Sequence, residues 1–169
     1  MRLAMMNRRA VMGLLAGSLL PSVGIARMAQ AQPHPDPMTL TIRGPGPGIR
    51  TFRQADLARL PQRRIVTTTP WHPEPTSFEG PDLDAVLGRG DGDDLDCTLI
   101  ALNDYAAAVS TQFFRESNGI LAIKENDAFL TLDNKGPVFV IFPFSERADL
   151  QIQAAYARCV WQLVEIEVA

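Results

Sequence analysis

The side chains that build most protein metal centres and nucleophilic sites are scarce in this chain. It has two cysteines, Cys97 and Cys159, and two histidines, His34 and His72. There is no His-Glu-x-x-His and no Cys-x-x-Cys, and no cysteine sits near a histidine in sequence. A metal site on these residues would need distant pieces to converge without any spacing signal. Positive charge is also short, with 16 Lys and Arg against 19 Asp and Glu. No basic stripe with interleaved aromatics is present, which argues against nucleic acid as a partner. The apolar run from Ala10 to Leu20 is about half the ~20 residues a helix needs to cross a bilayer. The acidic run Gly90-Asp91-Gly92-Asp93-Asp94 lacks the twelve-position pattern of an EF-hand loop and reads as a solvated turn.

What is present begins with an export pattern. Arg8-Arg9 precede the apolar run, and Ala29-Gln30-Ala31 offers small residues at a cleavage site. That order is a signal peptide over residues 1–31. Asn7-Arg8-Arg9-Ala10-Val11-Met12 looks like a twin-arginine signal, the type that exports folded substrates. An ordinary signal with two arginines, or an uncleaved anchor, are the alternatives. Removing 1–31 takes away four arginines and no acid, leaving 12 basic against 19 acidic residues. The expected location is periplasmic, with no integral membrane segment after cleavage. Residues 32–38 form a proline-rich lead, in which His34 is solvated. Residues 39–169 suffice for one domain with a modest core. In an oxidising compartment a Cys97–Cys159 disulfide is allowed. Both cysteines lie in or beside apolar runs, so two separate buried thiols are the other reading.

The pattern after residue 38 predicts many short strands and a few short helices, an α+β domain rather than an alternating βα unit. Strands are expected at 39–42, 64–69, 97–102, 119–123, 128–130, 138–143 and 161–168. Gly44 to Gly48 reads as a turn. Helices are expected from a Thr51 cap to Leu60, after the Asp82 cap, and over 150–157. Pro70 to Pro81, with four prolines, reads as a long loop. Lys124 to Asp127 reads as a turn. Ala106 to Val109 shows no clear period, and Phe113-Phe114 belong to the core or to a pocket wall.

Few residues suggest chemistry. His72 lies beside Trp71 and can act as an acid or base near neutral pH, though no nucleophile is placed next to it. Asn103-Asp104-Tyr105 follow an apolar strand, where a scaffold presents side chains to a cleft. A plain turn is the competing reading. Lys135-Gly136-Pro137 allows close backbone approach and offers a cation, or is an ordinary loop. Arg63-Arg64 is weak grounds for an anion site. Trp71 either lies over a ligand or plugs the core.

Five pieces, taken in order, point further. They are Leu60-Pro61-Gln62 before the strand to Thr69; Phe78 to Leu83; Ala101 to Tyr105; Lys135-Gly136-Pro137 before the strand to Pro143; and Val160 to Val164. Together they resemble the small exported members of the sulfite-oxidase-type molybdopterin-binding domain family, over about residues 39 to 168. The resemblance implies a compact mixed fold built around β-sheet. In catalytic members a pterin carries molybdenum in a crevice, held by a cysteine thiolate. Counted from Leu60-Pro61, that ligand is expected near Trp71, where no cysteine stands. The family's tyrosine near the metal matches Tyr105. Two functions follow. One is a cofactor-free small-ligand, partner-binding or sensory module, with Trp71, His72, Asn103, Asp104, Tyr105 and Lys135 as its candidate binding residues. The other is a small molybdopterin-dependent oxidoreductase working with a redox partner.

Overall fold

The computed structural model describes residues 38–44, 48–89 and 94–169. The export segment, most of the lead, the centre of the Gly-Pro turn and the acidic run 90–93 lie outside the described residues. In chain order the elements are β1 (Thr39–Arg43), β2 (Arg50–Arg53), α1 (Gln54–Leu57), β3 (Arg63–Thr69), β4 (His72–Gly80) and α2 (Leu83–Leu87). Then come β5 (Asp96–Ala101), β6 (Ala106–Ser110), α3 (Thr111–Glu116), β7 (Ile120–Ala122), β8 (Lys124–Glu125) and β9 (Ala128–Phe129). β10 (Phe139–Ile141), α4 (Gln153–Tyr156) and β11 (Leu163–Val168) complete the chain.

A five-stranded sheet runs β2-β1-β11-β5-β6, antiparallel except where β1 meets β11. A four-stranded sheet runs β3-β4-β8-β9, and β7 pairs with β10 alone. That last pair joins the two sheets. Leu121 donates its N–H to the Pro81 carbonyl and Ile123 to Glu79, while Val140 donates to Val160 and Leu163 to Val138. Gly80 permits the first junction, because a Cβ there would lie 2.0 Å from the Leu121 carbonyl oxygen. The core fills the space around this junction with Phe78, Phe114, Phe139, Phe142 and Phe144, each at most 2% exposed.

The segment 70–81 is the main correction to the expected elements: it is largely a strand, not a loop. β3 and β4 pair regularly from Arg63–Gly80 to Thr67–Thr76, then the register jumps to Thr69–His72. Pro73 and Pro75 fall inside the jump, where three residues of β4 lie against Thr68 alone. Proline lacks an N–H, and an irregularity of this kind does not ask for one. The exposed edge of β3 is tied down by Ser145, whose Oγ accepts from the Thr68 N–H at 3.0 Å.

The helix expected from Thr51 starts later. Thr51 and Phe52 pair with Thr41 and Leu40, so Arg53 becomes the cap, and its N–H donates to Asp56 Oδ2 at 3.0 Å. Asp82 caps α2 as expected, accepting from the Ala85 N–H at 2.7 Å, and Gly88 closes it in the left-handed conformation. α3 was not foreseen; Ser110 caps it, and Phe114 faces the core. The turn expected at 124–127 is half strand, with Asn126 and Asp127 turning at positive φ. Residues 150–157 divide into the end of a 3-10 turn (Ala148–Leu150) and α4. Cys97 and Cys159 are both buried and both free, so the disulfide alternative is not the one formed.

Candidate functional site

The β5–β6 turn, α4 and the segment leading into β11 meet the tip of the β3–β4 hairpin around a cavity of about 290 Å³. That is near the lower end of ligand pockets, roughly 300–1,000 Å³. Its walls include four aromatic side chains, Trp71, Tyr105, Tyr156 and Trp161, and two amides, Asn103 and Gln153. Ala101, Cys159 and Val160 supply buried apolar surface. None of the described residues lining the cavity is Lys, Arg, Asp or Glu.

Local chemistry places these groups. Tyr105 donates its hydroxyl to the Ala157 carbonyl at 2.7 Å, fastening the β5–β6 turn to the segment after α4. Asn103 Oδ1 accepts the Tyr105 N–H at 3.2 Å, and the Asp104 N–H donates to the Ala101 carbonyl at 3.0 Å. Asp104 itself has φ 64°, a conformation Asp tolerates better than most residues. The pocket and turn readings of Asn103-Asp104-Tyr105 therefore divide by residue. Asn103 and Tyr105 are on the wall, while Asp104 makes the turn and is absent from it. Trp71 is half-buried; its ring meets Trp161 at 5.1 Å and 87° and Phe139 at 6.0 Å and 68°. Edge-to-face pairs of this kind contribute about 0.5–1.5 kcal/mol each beyond the area they bury. Trp71 thus packs on the core with one side and borders the cavity with the other.

His72 and Lys135 are not on that wall. They form a separate polar cluster under the same hairpin. Thr69 Oγ1 accepts the N–H groups of Trp71 at 3.2 Å and His72 at 3.0 Å, and lies 3.0 Å from His72 Nδ1. With both lone pairs occupied, the hydroxyl proton is the one left for Nδ1. The ring is then neutral, with its proton on Nε2, which faces Glu125 Oε2 at 3.5 Å. Lys135 Nζ also lies 3.5 Å from Nε2, but two donors make no hydrogen bond, so that contact is repulsive once the ring is charged. Burial, and then Lys135, hold the His72 pKa below its ordinary value, against the pull of Glu125. Asn134 donates to the same Glu125 oxygen at 3.2 Å. Lys135 sits in this cluster because it adopts the left-handed conformation, φ 62°, at the end of the 3-10 turn Leu132–Asn134. His72, Asp104 and Lys135 are thus not among the described residues that line this cavity.

Gln153, Tyr156 and Trp161 were not singled out as binding residues from the sequence. Trp161 lay within the matched piece Val160 to Val164. For Gln153 and Tyr156 no sequence signal existed, since a four-residue helix carries no readable period.

The fold defines a class before it suggests a chemistry. It is the α+β, sulfite-oxidase molybdopterin-binding-domain type expected from the sequence. The crystal structure of the sulfane dehydrogenase SoxCD from Paracoccus pantotrophus matches it with a TM-score of 0.52 and 14% identity. The match covers 77% of this chain and 37% of that chain, and at this identity it concerns fold alone. No family model and no curated protein matches the sequence.

The donor set decides whether a molybdopterin fits. Near the position where the resemblance expects a thiolate stands the Trp71 indole. Cys97 is buried on β5, its thiol pushed up to about 11 by burial and nearby carboxylates. Cys159 reaches the cavity, but burial raises its thiol further, and its Sγ faces the Ala155 carbonyl at 3.7 Å. Both thiols are therefore held in the protonated form when no metal is bound. Among the described residues no three His, Cys, Asp or Glu side chains converge as metal ligands. The pyrophosphate end fares no better. Arg64 is held by Glu79 and Asp127, and Arg147 by Asp149. Arg63 reaches Asn118, and Arg158 donates to the Ala108 and Ala154 carbonyls. A pyrophosphate needs several such donors aimed at one place. These residues do not fit the cofactor, and no chemical step is routed through it.

Proposed function

We propose that this chain is a non-catalytic small-ligand-binding module on the sulfite-oxidase-type fold. One observation carries the reading: a neutral, aromatic-walled cavity bordered by Trp71, where the family resemblance expects a sulfur donor. Aromatic walls with a few polar groups are the usual make-up of a ligand pocket. Export to the periplasm belongs to the same proposal, supported by Arg8-Arg9, the apolar run and Ala29-Gln30-Ala31. There the module would sense a small solute or pass it to a protein partner. The rival reading, a molybdopterin-dependent oxidoreductase, has the likeness of fold to a sulfane dehydrogenase in its favour.

The test has two arms on protein purified from its native host. Elemental analysis is expected to find molybdenum well below one atom per chain; a stoichiometric amount establishes the rival. A thermal-shift panel of small organic molecules is expected to yield stabilising compounds whose effect is lost in Tyr105→Leu. If no compound stabilises the wild-type chain, the binding reading fails.

A further inference from the structure

The chemistry of the cavity points to a ligand class. We infer that it selects a quaternary ammonium cation, an inference that rests on the binding reading above. Four aromatic rings border it, and Trp71 and Trp161 stand edge to face at 87°, so their two planes are perpendicular beside the cavity. The face of an aromatic ring carries negative electrostatic potential and attracts a cation, Trp most strongly. Tyr105 and Tyr156 add two further rings to the same space.

The polar groups narrow the class. An anion meets no cationic side chain on the described wall. A primary ammonium brings three N–H groups that each require an acceptor. With no carboxylate on the described wall, its acceptors would be neutral carbonyls, and two of these, Ala157 and Asn103 Oδ1, each already receive one bond from Tyr105. An ammonium proton left unpaired in such a place costs free energy. A fully methylated nitrogen has no N–H to satisfy and offers only methyl surface to the rings. An uncharged hydrocarbon of the same shape fits too, but gains nothing from the ring potential. The acidic excess of the chain, 19 Asp and Glu against 16 Lys and Arg, favours cations over anions as visitors.

Isothermal titration of the full chain with three probes tests this. They are choline, its uncharged carbon isostere 3,3-dimethylbutan-1-ol, and ethanolamine. Choline is expected to bind about ten-fold more tightly than either of the others, the scale of a desolvated cation–π contact. Trp161 is 36% exposed and Tyr105 46%, so both tolerate substitution without emptying the core. Trp161→Leu and Tyr105→Leu are each expected to weaken choline several-fold, with Trp161→Phe keeping most of the affinity because a ring face is retained. Equal or tighter binding of the isostere overturns the cation inference while leaving a ligand-binding cavity in place. Tighter binding of ethanolamine overturns it through the N–H argument. Failure of all three probes also overturns it, and the small-molecule panel then decides separately whether the binding reading survives.

Discussion

Trp71 and His72 are chain neighbours at the tip of one hairpin, yet they serve opposite environments. Trp71 borders a cavity whose described wall is aromatic, amide and aliphatic. His72 enters a cluster with Thr69, Glu125 and Lys135, where charge sits within 3.5 Å of its ring. Phe139 touches both, 6.0 Å from the Trp71 ring and 6.2 Å from His72. Thr69 holds them together, since its hydroxyl takes both backbone N–H groups. The contrast teaches how a fold keeps a cavity free of charged side chains. Two charged groups of this hairpin, Arg64 and Glu79, pair with each other and with Asp127 and Lys124 along the four-stranded sheet. The cavity side carries aromatic, amide and aliphatic groups.

The largest test of this contrast removes what the two regions share. Phe139→Ala is expected to cost about 3–5 kcal/mol of unfolding free energy, measured in urea, because a buried ring junction is emptied. A loss under about 1 kcal/mol would mean that the regions do not lean on a common core.

Thr69→Val strips the hydroxyl from two N–H groups and from the imidazole. A cost of about 2 kcal/mol is expected, the scale of leaving partly buried donors unsatisfied. The indole fluorescence and the His72 NMR resonances should shift together. A change confined to one of them breaks the claim that Thr69 couples the regions.

Asp104→Ala sharpens the cavity's boundary. Alanine is less at ease at φ 64°, so a stability loss of about 1 kcal/mol is expected. Ligand-induced stabilisation should be unchanged, because Asp104 is not on the wall. Loss of ligand response in a folded Asp104→Ala protein would return that residue to the site.

The smallest effect is in pH. The His72 pKa is lowered on folding, by burial first and then by Lys135. Between that lowered value and the ordinary one near 6.5, the unfolded chain binds more protons than the folded one. The His72 contribution is therefore fully present above about pH 6.5 and is lost as pH falls through the folded pKa. Urea midpoints are expected to decline over this acid range in the wild type, and less in His72→Gln. Lys135→Met should raise the His72 pKa in an NMR titration, since a like charge is removed. An unmoved or lowered pKa would show that Lys135 does not act on the ring.

Much of the fold was legible where the chain announces it locally. The β-branched run Arg64 to Thr69, the Asp82 cap and the alternating end from Leu163 to Val168 are such places. Pro70 to Pro81 misled because proline density normally signals a loop, whereas here two of the prolines occupy a register jump between paired strands. The cavity was half legible. Trp71, Asn103 and Tyr105 stood out as unusual groups at strand ends. Gln153 and Tyr156 did not, because their helix is four residues long and reaches the cavity only through the chain's path after β10.

By itself the sequence determined which groups were available: two thiols in or beside apolar runs, two histidines, two tryptophans, an acidic balance, and a resemblance whose thiolate donor is missing. Those follow from composition and local pattern, which need no partner in space. Only the tertiary structure decided that Trp71 and Trp161 form one corner, that His72 stands with Lys135 and Glu125 elsewhere, and that both thiols are buried and free. These are contacts between residues far apart in the chain, and whether a side chain meets a ring, a charge or water is settled by packing.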